Sequence, residues 1–340
     1  MTGPAAAVSR YRRGVTFAGI SAVMLGSTPV LGKIALGAGL PPLAIVTLRT
    51  AAATLLLLIV LLPRRSALAI FPLGLLGCLV AGILNGVGSL FFYFGLARVN
   101  AGVGQMLFGL YPVWVAVLLF LDGQRPSRLS LAALALSLPA VYLITSGRWQ
   151  DVDPVGAGLM LLSGLLFALH LPINERVLYE VPAPTVAFYT LAAMTFVVTP
   201  AFLIFSDAPT AVGPMALPAM VSLTAITFIS RLALFSGIKS IGGFQSSLLG
   251  MAEVLVAVVL AHAALGESLT GAQQLGGLLL ASALLVSGLD RTSYRQAHGR
   301  GWLYWLRPPV PMTPLLVDTH PASLRREAPP PEEGVPPQAS

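Results

Sequence analysis

Long apolar runs follow one another along this chain almost without pause, and they constrain its fold more than any other feature. A helix needs about 20 mostly apolar residues to cross a bilayer. Ten segments approach or meet that length: 14–36, 42–62, 69–92, 101–121, 129–146, 156–178, 184–205, 212–237, 244–265 and 272–289. We therefore predict an all-α polytopic membrane protein with ten transmembrane helices.

The composition agrees with a membrane setting. Charged residues make up 10% of the 340 residues and hydrophobic ones 56%, whereas soluble domains are about 25% charged. The net charge of +7 is divided among short basic clusters between apolar runs, which argues against a nucleic-acid partner. The single cysteine, Cys78, lies in an apolar run, so we predict neither a disulfide framework nor a cysteine metal site.

A shift of 142 positions superimposes the first half of the chain on the second. Gly14 then falls on Gly156, and YFGLARVNAGVGQML from Tyr93 overlays FSGIKSIGGFQSSLL from Phe235. Each unit holds five spans, an odd number, so the second unit enters the membrane upside down relative to the first. We therefore predict two inverted five-helix repeats, an arrangement that places a binding site near the membrane midplane, between the repeats.

These patterns divide the chain into four parts. They are a lead at 1–13, a first repeat at 14–147, a second repeat at 148–289 and a tail at 290–340. The tail is rich in proline and charge and is predicted to be disordered. Its aromatic patch, GWLYWL at 301–306, is either an interfacial anchor or a segment without function.

Lysine and arginine are more frequent in the loops on one side of the predicted spans. With the N-terminus inside, the inner side holds nine of these residues and the start of the tail, and the outer side holds only Lys33, Arg98 and Arg148. The positive-inside rule then places both termini in the cytoplasm of a cell whose membrane the chain spans. The oligomeric state stays open between a monomer and a homodimer.

Several polar residues fall at membrane depth, foremost Glu253 within the apolar run 244–265. A carboxylate in hydrocarbon costs about 2.5–3.5 kcal/mol on insertion scales, so it either pairs with a basic neighbour or lines a polar path. The candidate residues for substrate binding or translocation are Lys33, Arg49, Asn85, Gln105, His170, Arg231, Gln245 and Glu253.

Arg231 and Glu253 lie at similar depths on antiparallel neighbouring helices. By the helical rise, they are about 9 Å and about 12–13 Å from the cytoplasmic ends of their helices. A charge pair is feasible if their faces converge, and a proton on Glu253 would then release Arg231 for an anionic substrate. The alternative is a permanent structural bridge.

Prolines occur at nearly equivalent places in the first and sixth spans. Pro172 follows His170 and Leu171, and Pro29 lies one position out of register. Proline removes a helix hydrogen bond, and paired helix breaks indicate a transporter binding site. The alternative is that these prolines only shape packing. Lys33 and Arg49 have an alternative role too, because their side chains are long enough to reach the membrane surface.

The chain resembles the ten-helix EamA group of the drug/metabolite transporter superfamily over residues 14–289. The segments that carry the resemblance are Tyr93-Phe94-Gly95-Leu96, Tyr111-Pro112, Glu253 and Leu265-Gly266-Glu267 within Phe235–Gly288. The family's proline after the glutamate is replaced by Val254. The resemblance implies a secondary carrier of small metabolites, often an exporter, that works by alternating access.

Two other functions remain open. A lipid or lipophilic-drug translocator would have a side-open apolar cavity. An intramembrane enzyme or sensor would gather His170, Glu253 and His262, although their spacing matches no metal motif. The sequence lacks a nucleotide-binding loop, so an ion gradient, with a proton as the candidate coupling ion, or the substrate's own gradient would drive transport. No cofactor is predicted.

Overall fold

Twelve α-helices account for most of the residues that the computed structural model describes, which are 4–63, 68–122, 127–146, 153–206, 212–266 and 270–289. Among these residues there is no β-strand. The helices are α1 (Pro4–Gly37), α2 (Pro42–Leu61), α3 (Pro72–Arg98), α4 (Ala101–Phe108), α5 (Tyr111–Leu121), α6 (Arg128–Ser146), α7 (Pro154–Leu178), α8 (Ala183–Phe205), α9 (Ala216–Ile241), α10 (Gly243–Gly250), α11 (Ala252–Leu265) and α12 (Gly271–Leu289).

The helices have the length and surface of membrane spans. Eight helical stretches of at least 18 residues are apolar enough to cross a bilayer, and α6 and α12 contain the shorter apolar segments Leu131–Ala140 and Gln274–Ala283. Large apolar side chains point outward, with Phe196 80% exposed and Leu203 74% exposed. Such a surface is stable against lipid, and the predicted all-α polytopic class is confirmed.

The helix bounds differ from the sequence expectation at several ends. The first helix begins at Pro4, so most of the predicted polar lead is helical, and α3 continues to Arg98, six residues past its predicted end. The predicted tail at 290–340, its aromatic patch and the loop residues Arg64, Arg65, Arg125 and Arg148 lie outside the described residues.

Two spans are broken near their middle. The fourth consists of α4 and α5, and the ninth of α10 and α11. The shift of 142 residues carries the bounds of α4, Ala101 and Phe108, onto those of α10, Gly243 and Gly250. The paired helix breaks therefore occur in the fourth and ninth spans, whereas α1 and α7 stay helical through their internal prolines.

Local chemistry explains both breaks. Pro112 at the start of α5 has no backbone N–H, so it cannot continue the hydrogen-bond ladder of α4. At the second break, the Met251 N–H donates to the Leu248 carbonyl, 3.1 Å away. This tighter i to i+3 bond replaces the α-helical bond and ends α10.

Equivalent contacts lie at opposite ends of the bundle. A Cβ at Gly14 would meet Ile241, and a Cβ at Gly156 would meet Val99, the residue equivalent to Ile241. Gly156 belongs to the end where Arg98 pairs with Asp153, here called the Asp153 end. Gly14 belongs to the other end, where Asp122 follows α5, and which is here called the Asp122 end. The second repeat is therefore inverted relative to the first.

Helices of one repeat pack mainly on helices of the other. The most extensive contacts are those of α1 with α9 and of α3 with α7, which are equivalent pairs, followed by α6 with α12. The helix α8 also packs across the repeats, on both α3 and α2. The interior of the bundle is therefore the interface between the repeats.

Asp153 fixes the start of α7 at the Asp153 end. Its Oδ1 accepts from the Val155 N–H at 2.9 Å, and its Oδ2 accepts from Arg98 Nη1 at 3.0 Å. The hydrogen bond from Arg98, followed by the backbone N–H of Val155, lowers the pKa of Asp153. This N-cap ties the second repeat to the end of α3.

We expect Gly82→Ala to destabilise the protein by about 1–3 kcal/mol because it overpacks the contact between α3 and α8. A Cβ at Gly82 would lie 2.5 Å from the Thr190 carbonyl oxygen and 2.5 Å from the Ala193 Cβ. The matched control is Gly158→Ala, where a Cβ meets nothing within 4 Å and helix propensity improves by about 1 kcal/mol. Thermal unfolding in detergent measures both, and equal stability of the two variants would contradict the close approach.

Candidate functional site

A cavity lies inside the bundle and takes its walls from both repeats. Its lining residues are Leu25, Thr28, Arg49, Asn85, Gly88, Ser89, Phe92, Gln105, Phe108, Ser163, Phe167, Arg231 and Glu253. The cavity volume is about 50 Å³ as space for the centres of water molecules, which is room for roughly three to five waters at about 10–15 Å³ each. The cavity is therefore small in this conformation, and a larger solute requires the walls to move apart.

The repeat builds the walls of this cavity in pairs. The 142-residue shift carries Leu25 onto Phe167 and Ser89 onto Arg231, and all four residues line the cavity. It also carries Asn85 onto Thr227, whose hydroxyl accepts from Arg49 Nη1 at 3.0 Å. The cavity therefore straddles the pseudo-twofold relation between the repeats, near the middle of the spans.

Glu253 enters the cavity from the first turn of α11, directly after the second helix break. The partial positive charge of a helix N-terminus favours a carboxylate there. Tyr111 OH shares its hydrogen between Glu253 Oε1 at 3.4 Å and the Ser247 carbonyl at 3.3 Å, and Gln105 Nε2 donates to Glu253 Oε2 at 3.4 Å. Tyr111, in the first turn of α5, is the residue that the 142-residue shift carries onto Glu253, so the contact joins equivalent positions of the two repeats.

Arg231 is held by two neutral side chains. With its amide oriented to accept, Asn85 Oδ1 lies 2.7 Å from Arg231 Nη2 and 3.3 Å from Nη1. His170 Nδ1 faces the Phe167 carbonyl, which only accepts, so Nδ1 carries the hydrogen. His170 Nε2 is then the acceptor for Arg231 Nη1 at 3.5 Å. The guanidinium also lies over the Phe167 ring, 5.9 Å from its centroid.

Arg49 is the second cation of the cavity. Besides its bond to Thr227, its guanidinium lies over the Tyr93 ring, 5.0 Å from the centroid. Arg49 Nε and the hydroxyl of Thr28 are buried without a hydrogen-bond partner in the described part of the chain. Two residues that line this cavity thus each hold a buried donor without an acceptor.

The structure brings together five of the eight residues proposed from sequence. Arg49, Asn85, Gln105, Arg231 and Glu253 line the cavity, and His170 lies behind Arg231. Gln245, which is buried in α10, and Lys33, which is half-buried near the end of α1, are not among its lining residues.

The expected charge pair takes a different form. Arg231 and Glu253 line the same cavity, but no ion pair joins them among the described residues. Asn85 and His170 bind Arg231, while Tyr111 and Gln105 bind Glu253. Depth alone predicted their proximity, but the contacts depend on the faces of α3, α4, α5 and α7 that carry these neutral partners.

Sequence reasoning missed Tyr111, Ser89 and the aromatic wall of Phe92, Phe108 and Phe167. The ring centroids of Phe92 and Phe108 are 5.4 Å apart, and those of Phe108 and Phe167 are 5.2 Å apart. The 142-residue shift could have predicted two of these residues, because it carries Tyr111 onto Glu253 and Ser89 onto Arg231.

The residues of the enzyme alternative do not converge. His170 is buried beside Arg231, whereas His262 is exposed near the end of α11, over two turns beyond Glu253. Within the described ranges, no group of three or more histidine, cysteine, aspartate or glutamate side chains is placed to hold a metal ion.

A comparison with known protein families shows which family the chain belongs to. The model of the EamA-like transporter family matches the chain twice, over residues 12–146 and 154–289. The chain belongs to the EamA-like transporter family. This EamA-like protein is accordingly a membrane transporter, and its cavity lies between the two family units.

Similar proteins carry the same general description. An uncharacterized transporter of Archaeoglobus fulgidus is 26% identical over 192 residues, which are 55% of this chain and 67% of that protein. An uncharacterized transporter of Synechocystis sp. is 24% identical over 226 residues, 64% of this chain and 67% of that protein. A solved structure described only as "Crystal structure of protein" has a TM-score of 0.66 at 21% identity, over 81% of this chain and 96% of its own. That structure supports the EamA-like fold alone.

Tyr111→Phe removes one of the two donors to the buried Glu253 carboxylate of this EamA-like transporter. We expect a loss of about 1–2 kcal/mol in stability, the effect of a missing hydrogen bond. Tyr93→Phe is the matched control, because the Tyr93 hydroxyl is buried without a hydrogen-bond partner among the described residues. The control should be neutral or stabilising in the same thermal unfolding assay. The reverse order would show that the Tyr111 contact does not support Glu253.

Proposed function

We propose that this protein is a secondary transporter that moves a small amphiphilic metabolite across the cell membrane by alternating access. The single observation that carries the proposal is the polar cavity between inverted repeats, near the middle of the spans, where transporters of this kind bind their substrates. Export is the proposed direction, as the family resemblance implies.

The lining chemistry supports an amphiphilic solute over a lipid. Eight of the thirteen lining residues have polar side chains, and three of the remaining five are phenylalanines. A path for acyl chains alone would not need the two arginines and the glutamate that line this cavity. The aromatic wall offers an apolar face beside these charged groups, which suits a compact molecule with one polar and one apolar part.

Polar contacts close the Asp122 end of the bundle. Asp122 after α5 pairs with Arg176 of α7, and the carboxyl group of Asp122 is only 2% exposed. Glu175 accepts a hydrogen bond from the Gly243 N–H at the start of α10. At the opposite end, the pair of Arg98 and Asp153 is well exposed, at 53% and 31% of the two side chains. This contrast supports a conformation closed at the Asp122 end.

The charge distribution supports a cytoplasmic position for that end. The exposed residues Arg10, Arg12 and Arg13 precede Gly14, which packs at the Asp122 end. By the positive-inside rule, we propose that this end and both termini face the cytoplasm. The conformation is then closed toward the cytoplasm.

Glu253 is the proposed proton-coupling group. It is the one carboxylate among the cavity-lining residues, and both of its side-chain partners, Tyr111 and Gln105, donate hydrogen bonds to it. A proton on Glu253 would remove a negative charge from a cavity that also holds two arginines, and so alter the binding of a charged substrate.

Transport should depend on the charges of the cavity. Comparing the metabolites that accumulate outside cells with and without the protein identifies the exported solute. We expect Glu253→Gln and Arg231→Gln, tested singly, to lower its efflux at least about tenfold, equivalent to about 1.4 kcal/mol. Arg98→Gln, outside the cavity, is the control for general charge loss. If both cavity variants fold and export like the parent between pH 5 and pH 8, the cavity is not the transport site.

Asp122→Asn should open the cavity toward the cytoplasm, because it weakens a buried ion pair that closes that end. The reporter is Ser89→Cys in a Cys78→Ala background, labelled from either side of the membrane by an impermeant thiol reagent. We expect labelling from the cytoplasmic side to rise at least about threefold as the population shifts.

The matched control for this experiment is Asp153→Asn. It neutralises the aspartate of the exposed ion pair at the other end, and asparagine still caps the helix. It should leave labelling from the cytoplasmic side at the parent level. Equal labelling of the Asp122→Asn variant and the parent would argue against a gate at Asp122, and labelling of the parent only from the cytoplasm would reverse the proposed orientation.

A further inference from the structure

Among the described residues, three charged side chains line the cavity, and their charges do not balance. Arg49 and Arg231 contribute two positive charges, and Glu253 contributes at most one negative charge. Arginine stays protonated in proteins, so at least one net positive charge remains. A charge at this depth of a membrane is costly unless an opposite charge or polar groups compensate it.

The partners of the two arginines within the described chain are neutral. Thr227 and the ring of Tyr93 contact Arg49, and Asn85 and His170 contact Arg231. These contacts satisfy some of the donors but supply no negative charge. The cavity therefore retains an uncompensated cation on the walls formed by α2 and α9.

Two unpartnered polar groups point to the same chemistry. Arg49 Nε and the Thr28 hydroxyl have no hydrogen-bond partner in the described structure, and both residues are 6% exposed. Both groups can donate a hydrogen bond, and both residues line the cavity. Donors without acceptors, beside an excess of positive charge, indicate a ligand that is rich in acceptors and negatively charged.

We propose that the cavity binds a small monoanionic carboxylate with an apolar body. Its carboxylate would lie by Arg49 and Arg231, and its body against Phe92, Phe108 and Phe167. This inference rests on the proposed function, because it takes the cavity as the transport site. A single negative charge matches the excess that remains when Glu253 is ionised.

The charge of Glu253 restricts the chemical class of the ligand further. A dianion would add a second negative charge beside this carboxylate, which disfavours it. A zwitterion could place an ammonium on Glu253, but it carries no net charge and leaves the excess positive charge in place. With Glu253 ionised, charge balance thus favours a monoanion over a dianion, a zwitterion, an amine or an amide.

Thermal unfolding of the purified full chain at pH 7 tests this binding. The probes are benzoate, phenylacetate, 3-phenylpropionate and indole-3-acetate, each with its amide, together with acetate, phenethylamine and L-phenylalanine. We expect at least one aromatic carboxylate to raise the unfolding temperature by about 2–4 °C. Its amide, the amine, the zwitterion and acetate should give smaller shifts. The inference is overturned if no carboxylate exceeds its amide, or if the amine or the zwitterion gives the largest shift.

Variants connect the carboxylate-induced shift to the cavity. Arg49→Gln and Arg231→Gln should each abolish the rise in unfolding temperature. Arg49→Lys should keep part of this rise. Arg98→Gln, outside the cavity, should keep all of it. Asn85→Asp places a carboxylate beside Arg231, so it should raise the unfolding temperature without ligand and abolish the shift. An undiminished shift in the Asn85→Asp variant would contradict the proposal even if the arginine variants do not fold.

Flux through proteoliposomes separates this inference from the proposed function. Vesicles loaded with the same mixture release solutes that mass spectrometry identifies. Faster release of the aromatic carboxylates, reduced in the Arg49→Lys variant and lost in the Asn85→Asp variant, supports both proposals. Release of amides or amines but not of carboxylates overturns the anion class and leaves transport standing. No release of any solute, with a carboxylate-specific thermal shift, counts against transport and supports the anion site.

Discussion

The contact between Tyr111 and Glu253 stabilises the buried carboxylate of the site, and the surrounding structure is arranged to make this contact. A carboxylate in a membrane interior needs donors, and this one receives them from Tyr111 and Gln105 in the other repeat. The two helix breaks make the contact available, because each places one of the two residues in the first turn of a new helix. The interrupted spans, the buried charge and the interface between repeats are thus parts of one arrangement.

The repeat supplies a symmetric scaffold, and the charges depart from that symmetry. Arg231 corresponds to Ser89, and Glu253 corresponds to Tyr111. Each of these charged residues therefore has a neutral equivalent in the other repeat, and Arg49 corresponds to the buried Leu191. Equivalent helices pack alike, as α1 on α9 and α3 on α7 do, while the electrostatic field of the cavity is one-sided. Symmetric helix packing and an asymmetric charge distribution therefore coexist in the same helices.

The sequence predicted the architecture well, because apolar run length and the 142-residue shift are properties of the chain itself. It also selected Arg49, Asn85, Gln105, Arg231 and Glu253, since polar groups at membrane depth are costly wherever they point. It did not predict their partners. Which side chain faces Arg231 depends on the rotation of α3 and α7 about their axes, and apolar helices carry little periodic signal to fix that rotation. Neither break was predicted: Pro112 marks the one between α4 and α5, whereas no proline marks the one between α10 and α11.

The inversion of the repeats has a geometric consequence for the proposed mechanism. Equivalent contacts lie at opposite ends of the bundle, but they are not equally developed: α1 packs on α11 more extensively than α7 packs on α5. If the two units exchange these conformations, the more extensive packing passes from α1 and α11 to α7 and α5. Each unit thus already displays the shape that its counterpart adopts in the opposite state.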